Sequence, residues 1–474
     1  MRVERSRTRL APILAAVLAV AIIGSAACTG GGPTPPPGAA DVVVDTNDVA
    51  VASFGGFGAE WDPYAYSPPF SVPQLVKDRI RFMRLPFVRV RMFASWFADV
   101  YNHYDFSNMA IRPLYEILDA AKANGTDVML TEWGSDDWSN DPWPIDDPRY
   151  ARAIADGLGH FINARGYTNI RYIAIVNEPD INTTFARWST GIVNLHRELA
   201  EKDLLDQVRV TGPDICCEGA PWYGGEAWWE PSLADLSDQI TAWDRHWYPE
   251  PRQVRNGRTE AWLRSFWDQV RSSDPNWTTE PFILGEMGFN TAWDQSTPGF
   301  AVDMTDYAIQ ATRAGTSMVS AWMLDDESYP GGLDGEPPKW FGMWSTRDSG
   351  SELKPWFYTW SLLSRLVRPG STLYLAPQPP KIRALAARDP STGDWTFVLV
   401  NREPSLARTV TVRVPGYGSV TYRRYLFDGT DGSGPRDANG FPTPVASGRP
   451  GDLEVGIRLT IPADSVAFVT ASIA

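Results

Sequence analysis

The chain has 474 residues, 43% of them apolar, and a formal charge of -14. That length exceeds one ordinary domain and suits a barrel of about 250 residues or more with a smaller module attached. The apolar content excludes a disordered chain, and the acidic balance excludes nucleic-acid binding, which needs basic surface to neutralise phosphates.

The first element is a targeting segment. Arg2, Arg5, Arg7 and Arg9 form a basic start, and Leu10 to Ile23 form an apolar stretch of signal-core length, too short to span a bilayer comfortably. "GSAAC" follows, with Cys28 behind two small residues, and it resembles a bacterial lipobox in which the Cys is acylated after cleavage. Ser25 stands where such boxes usually carry Leu, which leaves ordinary secretory cleavage after Ala27 as the alternative. Either way the mature chain is expected outside the cytoplasm, touching a membrane only through an N-terminal lipid on Cys28. "TGGGPTPPPGAA" (29–40) reads as a Pro/Gly tether.

From 54 to 367 strand-like and helix-like stretches alternate. Expected strands lie at 54–61, 88–93, 127–133, 170–177, 208–214, 240–248, 281–288 and 317–324. Helical stretches follow them, for example "IRPLYEILDAAKANG", with Leu114, Ile117, Leu118 and Ala121 at helical spacing and a stop at Gly125. The weakest helix is the one after the fifth strand, near "PSLADLSDQ". Short apolar strands alternating with helices imply a parallel sheet covered on both faces. Eight such units imply a closed (β/α)8 TIM barrel.

After Arg368 the pattern changes. Strand-like runs at 394–401, 407–414, 420–429 and 452–462 are separated by Gly, Pro and Asp turns. Val410, Val412 and Val414 alternate with polar neighbours. A C-terminal antiparallel β-sandwich is expected. The expected plan is a signal peptide over 1–28, a linker over 29–40, a barrel over 41–368 and a sandwich over 369–474, with 41–53 free to join the sandwich.

Besides Cys28 there are only Cys216 and Cys217, and the four His residues show no metal-ligand spacing with them. No metal is expected. Adjacent Cα atoms lie ~3.8 Å apart, shorter than ordinary disulfide spacing. A vicinal bridge and two free thiols therefore both stay open.

A barrel's active site lies at the C-terminal ends of its strands. "IAIVNEPD" (173–180) ends the fourth strand in Glu178, and "ILGEMG" (283–288) ends the seventh with Glu286. Three strands apart on a closed barrel, the two can face each other across the mouth. A carboxyl pair is what glycoside hydrolysis needs, and a retaining mechanism needs the two ~5–5.5 Å apart.

"VNEPD" and "LGEMG" resemble the acid/base and nucleophile motifs of glycoside hydrolase clan A, which includes families five, thirty and thirty-nine. The resemblance covers 54–367 and implies Glu178 as acid/base and Glu286 as nucleophile. It implies that Asn177 binds a sugar hydroxyl and that Arg91, in "VRVRMF", bonds the nucleophile. From "HWY" it implies His246 lining the sugar site and Tyr248 bonding the nucleophile, and it makes Trp322 the floor of the subsite. Glu132 and Trp133 stand in "TEWGSDDW", where some relatives carry a His, a departure that leaves the resemblance without a direct transfer of family-five sugar specificity.

Other acids near strand ends (Glu60, Glu132, Asp214, Asp244, Asp325 and Asp326) read as ligands for sugar hydroxyls or as ion-pair partners. A Glu132/Glu286 pair is the rival assignment. Trp133, and Trp340 in the loop at 325–345, are candidates to stack a sugar. The expected function is an exported retaining β-glycosidase acting on a polysaccharide or glycoconjugate. It requires no cofactor, because both reacting groups are side chains. The alternatives are a transglycosylase using the same site and a non-catalytic glycan-binding lipoprotein. The sequence leaves the sugar, endo or exo cutting and the oligomeric state open.

Overall fold

The computed structural model describes residues 39–66, 71–133, 143–217, 227–289, 295–326 and 340–472. The signal, Cys28 and nearly all of the tether lie outside the described residues, as do Asp136 and Asp137. No helix among the described residues is long and apolar enough to cross a membrane.

Eight strands close a parallel barrel. They are β3 (Gly56–Glu60), β4 (Phe87–Met92), β5 (Asp127–Glu132), β6 (Ile170–Ala174), β7 (Arg209–Ile215), β8 (Ala242–Trp247), β9 (Phe282–Met287) and β10 (Met318–Ala321). β10 pairs in parallel with β3 and closes the ring. The strands are buried along nearly their whole length, which is why their sequences read as continuous apolar runs rather than alternations.

The helices on the outside are α1 (Gln74–Met83), α2 (Arg112–Asn124), α3 (Pro148–Gly159), α4 (Pro179–Asn182), α5 (Phe185–Glu201), α6 (Trp229–Asp235), α7 (Pro251–Arg255), α8 (Arg258–Ser273), α9 (Pro298–Arg313) and α10 (Pro355–Leu366). Local chemistry sets their ends. α2 has Pro113 in its first turn and stops at Gly125 with φ +67°. Thr297 caps α9 by accepting from the Phe300 amide, with Pro298 next in line. The doubtful helix after the fifth strand is present as α6.

The remaining strands form two sheets. A three-stranded sheet contains β1 (Ala39–Val43), β14 (Arg408–Arg413) and β17 (Ile457–Ile461). A seven-stranded sheet has the order β16 (Ala446–Asp452), β15 (Ser419–Asp428), β18 (Ser465–Thr470), β13 (Trp395–Asn401), β12 (Ile382–Arg388), β11 (Ser371–Tyr374) and β2 (Val49–Phe54). β1 and β2 thus belong to these sheets, through β14 and β11.

The seven-stranded sheet is covered on both faces. Ala384, Phe397, Leu399 and Val469 pack against Val410, Val412 and Leu459 of the smaller sheet. Leu385, Val398, Val400, Val466 and Phe468 belong to the cluster shared with the barrel helices. Of the stretch expected as one strand at 452–462, residues 453–456 are a turn, and the strand proper is β17 at 457–461. Gly456, at φ +117°, breaks the run, a backbone that a side chain would resist.

Candidate active site

The mouth of the barrel is organised around one guanidinium. Arg89, on β4, has no exposed side-chain surface. Its Nη1 donates to Glu286 Oε1 at 2.7 Å and Glu60 Oε2 at 3.1 Å, and its Nη2 to Asn177 Oδ1 at 2.7 Å and Asp214 Oδ2 at 3.1 Å. Burial opposes its charge, but Asp214, Glu286 and Glu60 outweigh that and hold Arg89 well above its ordinary pKa.

This corrects one expectation. The arginine on the Glu286 carboxylate is Arg89, whereas Arg91 pairs with Asp62 at 2.7 Å and lies 3.9 Å over the Trp133 ring. Both side chains leave the same face of β4, two residues apart. The one nearer the strand's end meets the aromatic wall, and the deeper one meets the carboxylates.

His246, on β8, joins the two halves of the cluster. Its Nδ1 lies 2.9 Å from Glu178 Oε1 and 3.5 Å from Glu286 Oε2, while its Nε2 lies 3.1 Å from Asp214 Oδ1. Both ring nitrogens thus face carboxylates, which suits a doubly protonated imidazolium. Burial opposes that charge, but Glu286 and Asp214 override it and raise the His246 pKa well above its ordinary value. His246 is fully buried, so it stands behind the carboxylates rather than lining a sugar. Glu60, read above as a sugar ligand or an ion-pair partner, is fully buried and paired with Arg89, and burial pushes its carboxyl up to about 8.

One carboxylate oxygen of Glu178 and one of Glu286 lie within 4.8 Å of each other and of a His246 nitrogen. Tyr248 Oη donates to Glu286 Oε2 at 2.5 Å. Burial leaves the Glu286 carboxyl above its ordinary pKa, although His246 and Arg89 pull it back down. The Glu178 side chain retains 16% exposure against 4% for Glu286, so Glu178 is the more exposed of the two.

Beneath them, burial and the neighbouring Asp214 raise the Asp244 pKa well above the usual range. Asp214 itself, whose charge burial opposes, is held at about 2 by Arg89 and His246. Asp244 Oδ1 accepts from the Gly285 amide at 2.8 Å, and a Cβ on Gly285 would sit 2.4 Å from Asp244 Oδ2. A glycine before Glu286 is therefore what lets Asp244 lie under it.

The backbone that presents these groups is itself unusual. Glu178 and Asp214 have φ of +46° and +59°, left-handed conformations that cost non-glycine residues on the order of 1–3 kcal/mol each and gather at functional sites. The Glu178 amide donates to the Asp214 carbonyl at 3.1 Å, which ties the end of β6 to the end of β7.

One wall is aromatic. Trp133 and Trp322 stack with centroids 5.7 Å apart and 13° between planes, and Phe93, Tyr248 and Phe341 pack beside them. Trp340 is 45% exposed and Trp344 is fully buried, so only the former of these two is presented to solvent. Glu132 lies apart from the pair: it accepts from the Ala94 amide at 2.9 Å and from the Tyr150 hydroxyl. Both Glu132 oxygens are thus engaged by these groups, which favours Glu178 over Glu132 as the partner of Glu286. Asp325 and Asp326 are held by Tyr66 with Trp344 and by Lys354.

Two acid–histidine triads, Glu178/His246/Glu286 and Asp214/Asp244/His246, are compact enough to hold an ion. Their negative charge already meets Arg89 and His246, and both His246 nitrogens are engaged. Cys216 and Cys217 are bridged to each other.

No family model matches the sequence, and no curated protein matches it either. Solved structures do match, at full probability. A GH30 endoxylanase from Clostridium papyrosolvens C71 aligns over 91% of this chain and 99% of its own, at 15% identity and a TM-score of 0.62. A family 51 α-L-arabinofuranosidase from Bifidobacterium longum aligns over 92% and 100%, at 14% identity and 0.64. A glucosidase from Croceicoccus marinus aligns over 91% and 98%, at 14% and 0.62. The chain shares their fold. The alignments span nearly all of each neighbour, so the barrel and the appended sheets are shared as one architecture.

Proposed function

We propose that the protein is a retaining glycoside hydrolase that cleaves β-type glycosidic bonds of a polysaccharide or glycoconjugate. The observation that carries this reading is the Glu178/Glu286 pair, with oxygens within 4.8 Å of each other at the C-terminal rim of the barrel. Retaining enzymes hold their carboxyls ~5–5.5 Å apart, whereas inverting ones leave ~6.5–9.5 Å for a water. The likeness of fold to a xylanase, an arabinofuranosidase and a glucosidase supports the reaction class.

In this reading Glu286 attacks the anomeric carbon while Glu178, the more exposed carboxyl, protonates the departing oxygen. Arg89 and Tyr248 hold one oxygen each of Glu286, which favours its charged form against burial and aims it. The covalent ester removes the charge of Glu286. Glu178, now a carboxylate beside the His246 Nδ1 proton, then takes a proton from water, and the sugar is released with its configuration kept. Asn177 and Trp322 would contact the sugar, with Trp133 and Trp340 stacking further along the cleft. We further propose that the chain is exported and held at a membrane through Cys28, on the strength of its basic, apolar and small-residue start.

A panel of fluorogenic xylosides, glucosides and arabinofuranosides tests the reaction, with proton NMR of the first product anomer testing retention. Glu286→Gln and Glu178→Gln are expected to lower turnover of a natural substrate by roughly 10³-fold or more, and Glu132→Gln to leave the chemistry in place. A matching fluorosugar should leave one sugar mass on Glu286. Substantial turnover by Glu286→Gln, or a label elsewhere, defeats the assignment.

A further inference from the structure

The turn that carries Glu178 is not held by its own strand. β6 ends at Ala174, and Glu178 follows in a left-handed conformation. Its amide donates to the Asp214 carbonyl, and the Asn182 side chain donates to the Asn177 and Glu178 carbonyls at 3.1 Å each. Two residues on, the buried carboxylate of Asp180 accepts from two successive amides, Cys216 at 3.2 Å and Cys217 at 2.6 Å. The Asn177 amide also donates to the Glu132 carbonyl of β5 at 2.9 Å, and on the β7 side both holds come from residues 214–217, at and just after the end of that strand.

Consecutive amides converge on one carboxylate only when the peptide between them is fixed. Here that peptide is enclosed by the Cys216–Cys217 bridge, which restricts rotation about it before Asp180 arrives. Both cysteines are partly exposed, so a small reductant can reach them. The bridge crosses no loop and connects no two elements, so it adds little to the global fold. What it organises is local, and what is local to it is the turn of Glu178.

We propose that the Cys216–Cys217 bridge, acting through Asp180, is a positioning element for the carboxyl of Glu178. This inference rests on the reading of Glu178 as the acid that protonates the leaving group. A dithiol reverses the device: it gives two electrons and two protons to the bridge, leaving two thiols, and itself becomes a cyclic disulfide. The two amides then lose their common orientation, the hold on Asp180 loosens, and Glu178 drifts from the departing oxygen. The step that suffers is the one that needs a proton delivered.

The test uses two glycosides of the same sugar. One carries a dinitrophenol, which departs without protonation, and the other an alkyl alcohol, which does not. The value of kcat/KM is measured for the full chain oxidised, reduced with dithiothreitol and reoxidised, with alkylation and mass spectrometry confirming the thiol state. Reduction is expected to lower kcat/KM about tenfold or more for the alkyl glycoside and to leave the dinitrophenyl glycoside within about twofold, reversibly. A Cys216→Ser/Cys217→Ser variant and Asp180→Asn should show the same split, with thermal melts reporting whether either is generally unfolded. Equal losses on both substrates, or no loss with both thiols alkylated, would overturn the proposal. An oxidised enzyme that hydrolyses neither glycoside overturns the glycosidase reading itself.

Discussion

Two charge networks in this molecule, one partly and one almost wholly buried, solve the same problem differently. At the contact between barrel and sandwich, Asp303 and Asp306 of α9 meet Arg255, Arg383 and Arg402, and Arg402 also reaches Asp464. Three guanidiniums face three carboxylates there. At the barrel mouth, among the described residues, Glu60, Glu178, Asp214, Asp244 and Glu286 share chiefly Arg89 and His246. Buried charges are tolerated when paired and hydrogen-bonded, so a balanced network is a structural solution. With an acid excess and deeper burial, the mouth favours protonated carboxyls more strongly: burial pushes Glu60 up to about 8 and Asp244 well above its ordinary value, while Asp306 at the interface is raised as well. The interface fixes a geometry, whereas the mouth holds a movable proton.

Removing the hub of each network should separate these roles. Arg89→Met leaves Glu60, Asp214 and Glu286 facing one another without their shared cation. Breaking a buried network in this way costs about 3–5 kcal/mol, and turnover should fall with it. Denaturation midpoints and kcat/KM read the two effects, and a stable, active Arg89→Met protein would refute the account. Arg402→Met is expected to cost less, about 2 kcal/mol, because Arg255 and Arg383 still neutralise Asp303 and Asp306. Its kcat and pH profile should match the parent. A shifted pH profile would mean that the interface network is coupled to the site after all.

The barrel was legible because parallel strands covered on both faces write themselves as short apolar runs between helices. Glu178 and Glu286 were legible because each ends such a run, and the Tyr248 hydroxyl meets Glu286 as the "HWY" pattern implied. Arg89 was missed in favour of Arg91. Alternation places both on one face, but their depth depends on the stagger of β4 against its neighbours, which puts Arg89 level with Glu60. The sequence contains no term for that stagger. Nor did it reveal β11, β12, β16 and β18. β12 is alanine-rich, β16 carries Gly and Pro at an edge, and β18 is buried on both faces and shows no alternation. The hold of Cys216 and Cys217 on Asp180 joins residues 36 and 37 positions apart, and no local pattern announces it.

A smaller acid pair extends the comparison to pH. Glu280 and Asp274 share the Trp243 indole, at 3.1 and 2.7 Å. Burial first, and then the bond to Asp274, push the Glu280 carboxyl from 4.5 up to about 8. Glu280 thus binds its proton more tightly folded than unfolded. The stability it lends is complete below about pH 4.5, wanes as the pH rises and is gone above about pH 8. Glu280→Gln keeps a neutral amide in that place and should flatten the decline by on the order of 1–2 kcal/mol. Urea titrations at pH 5 and pH 8.5 measure it, and parallel declines in parent and variant would assign the slope elsewhere, with Glu60 the next candidate.

The mildest effect is expected at Arg91, where the sequence placed the nucleophile's partner. Lysine at 91 can keep a charge near Asp62, so the ion pair at 2.7 Å has a substitute. What lysine does not reproduce is the planar guanidinium 3.9 Å over Trp133, and such a contact is worth about 0.5–1 kcal/mol. Trp133 stacks in turn on Trp322, so the loss falls on the wall that would hold the sugar rather than on Glu286. Arg91→Lys should therefore raise KM two- to fivefold, by about 1 kcal/mol at most, with kcat and melting temperature nearly unchanged. If Arg91→Lys instead lowers kcat as Arg89→Met is expected to, the deeper and shallower arginines act as one unit, and the separation between a charged floor and an aromatic wall does not hold.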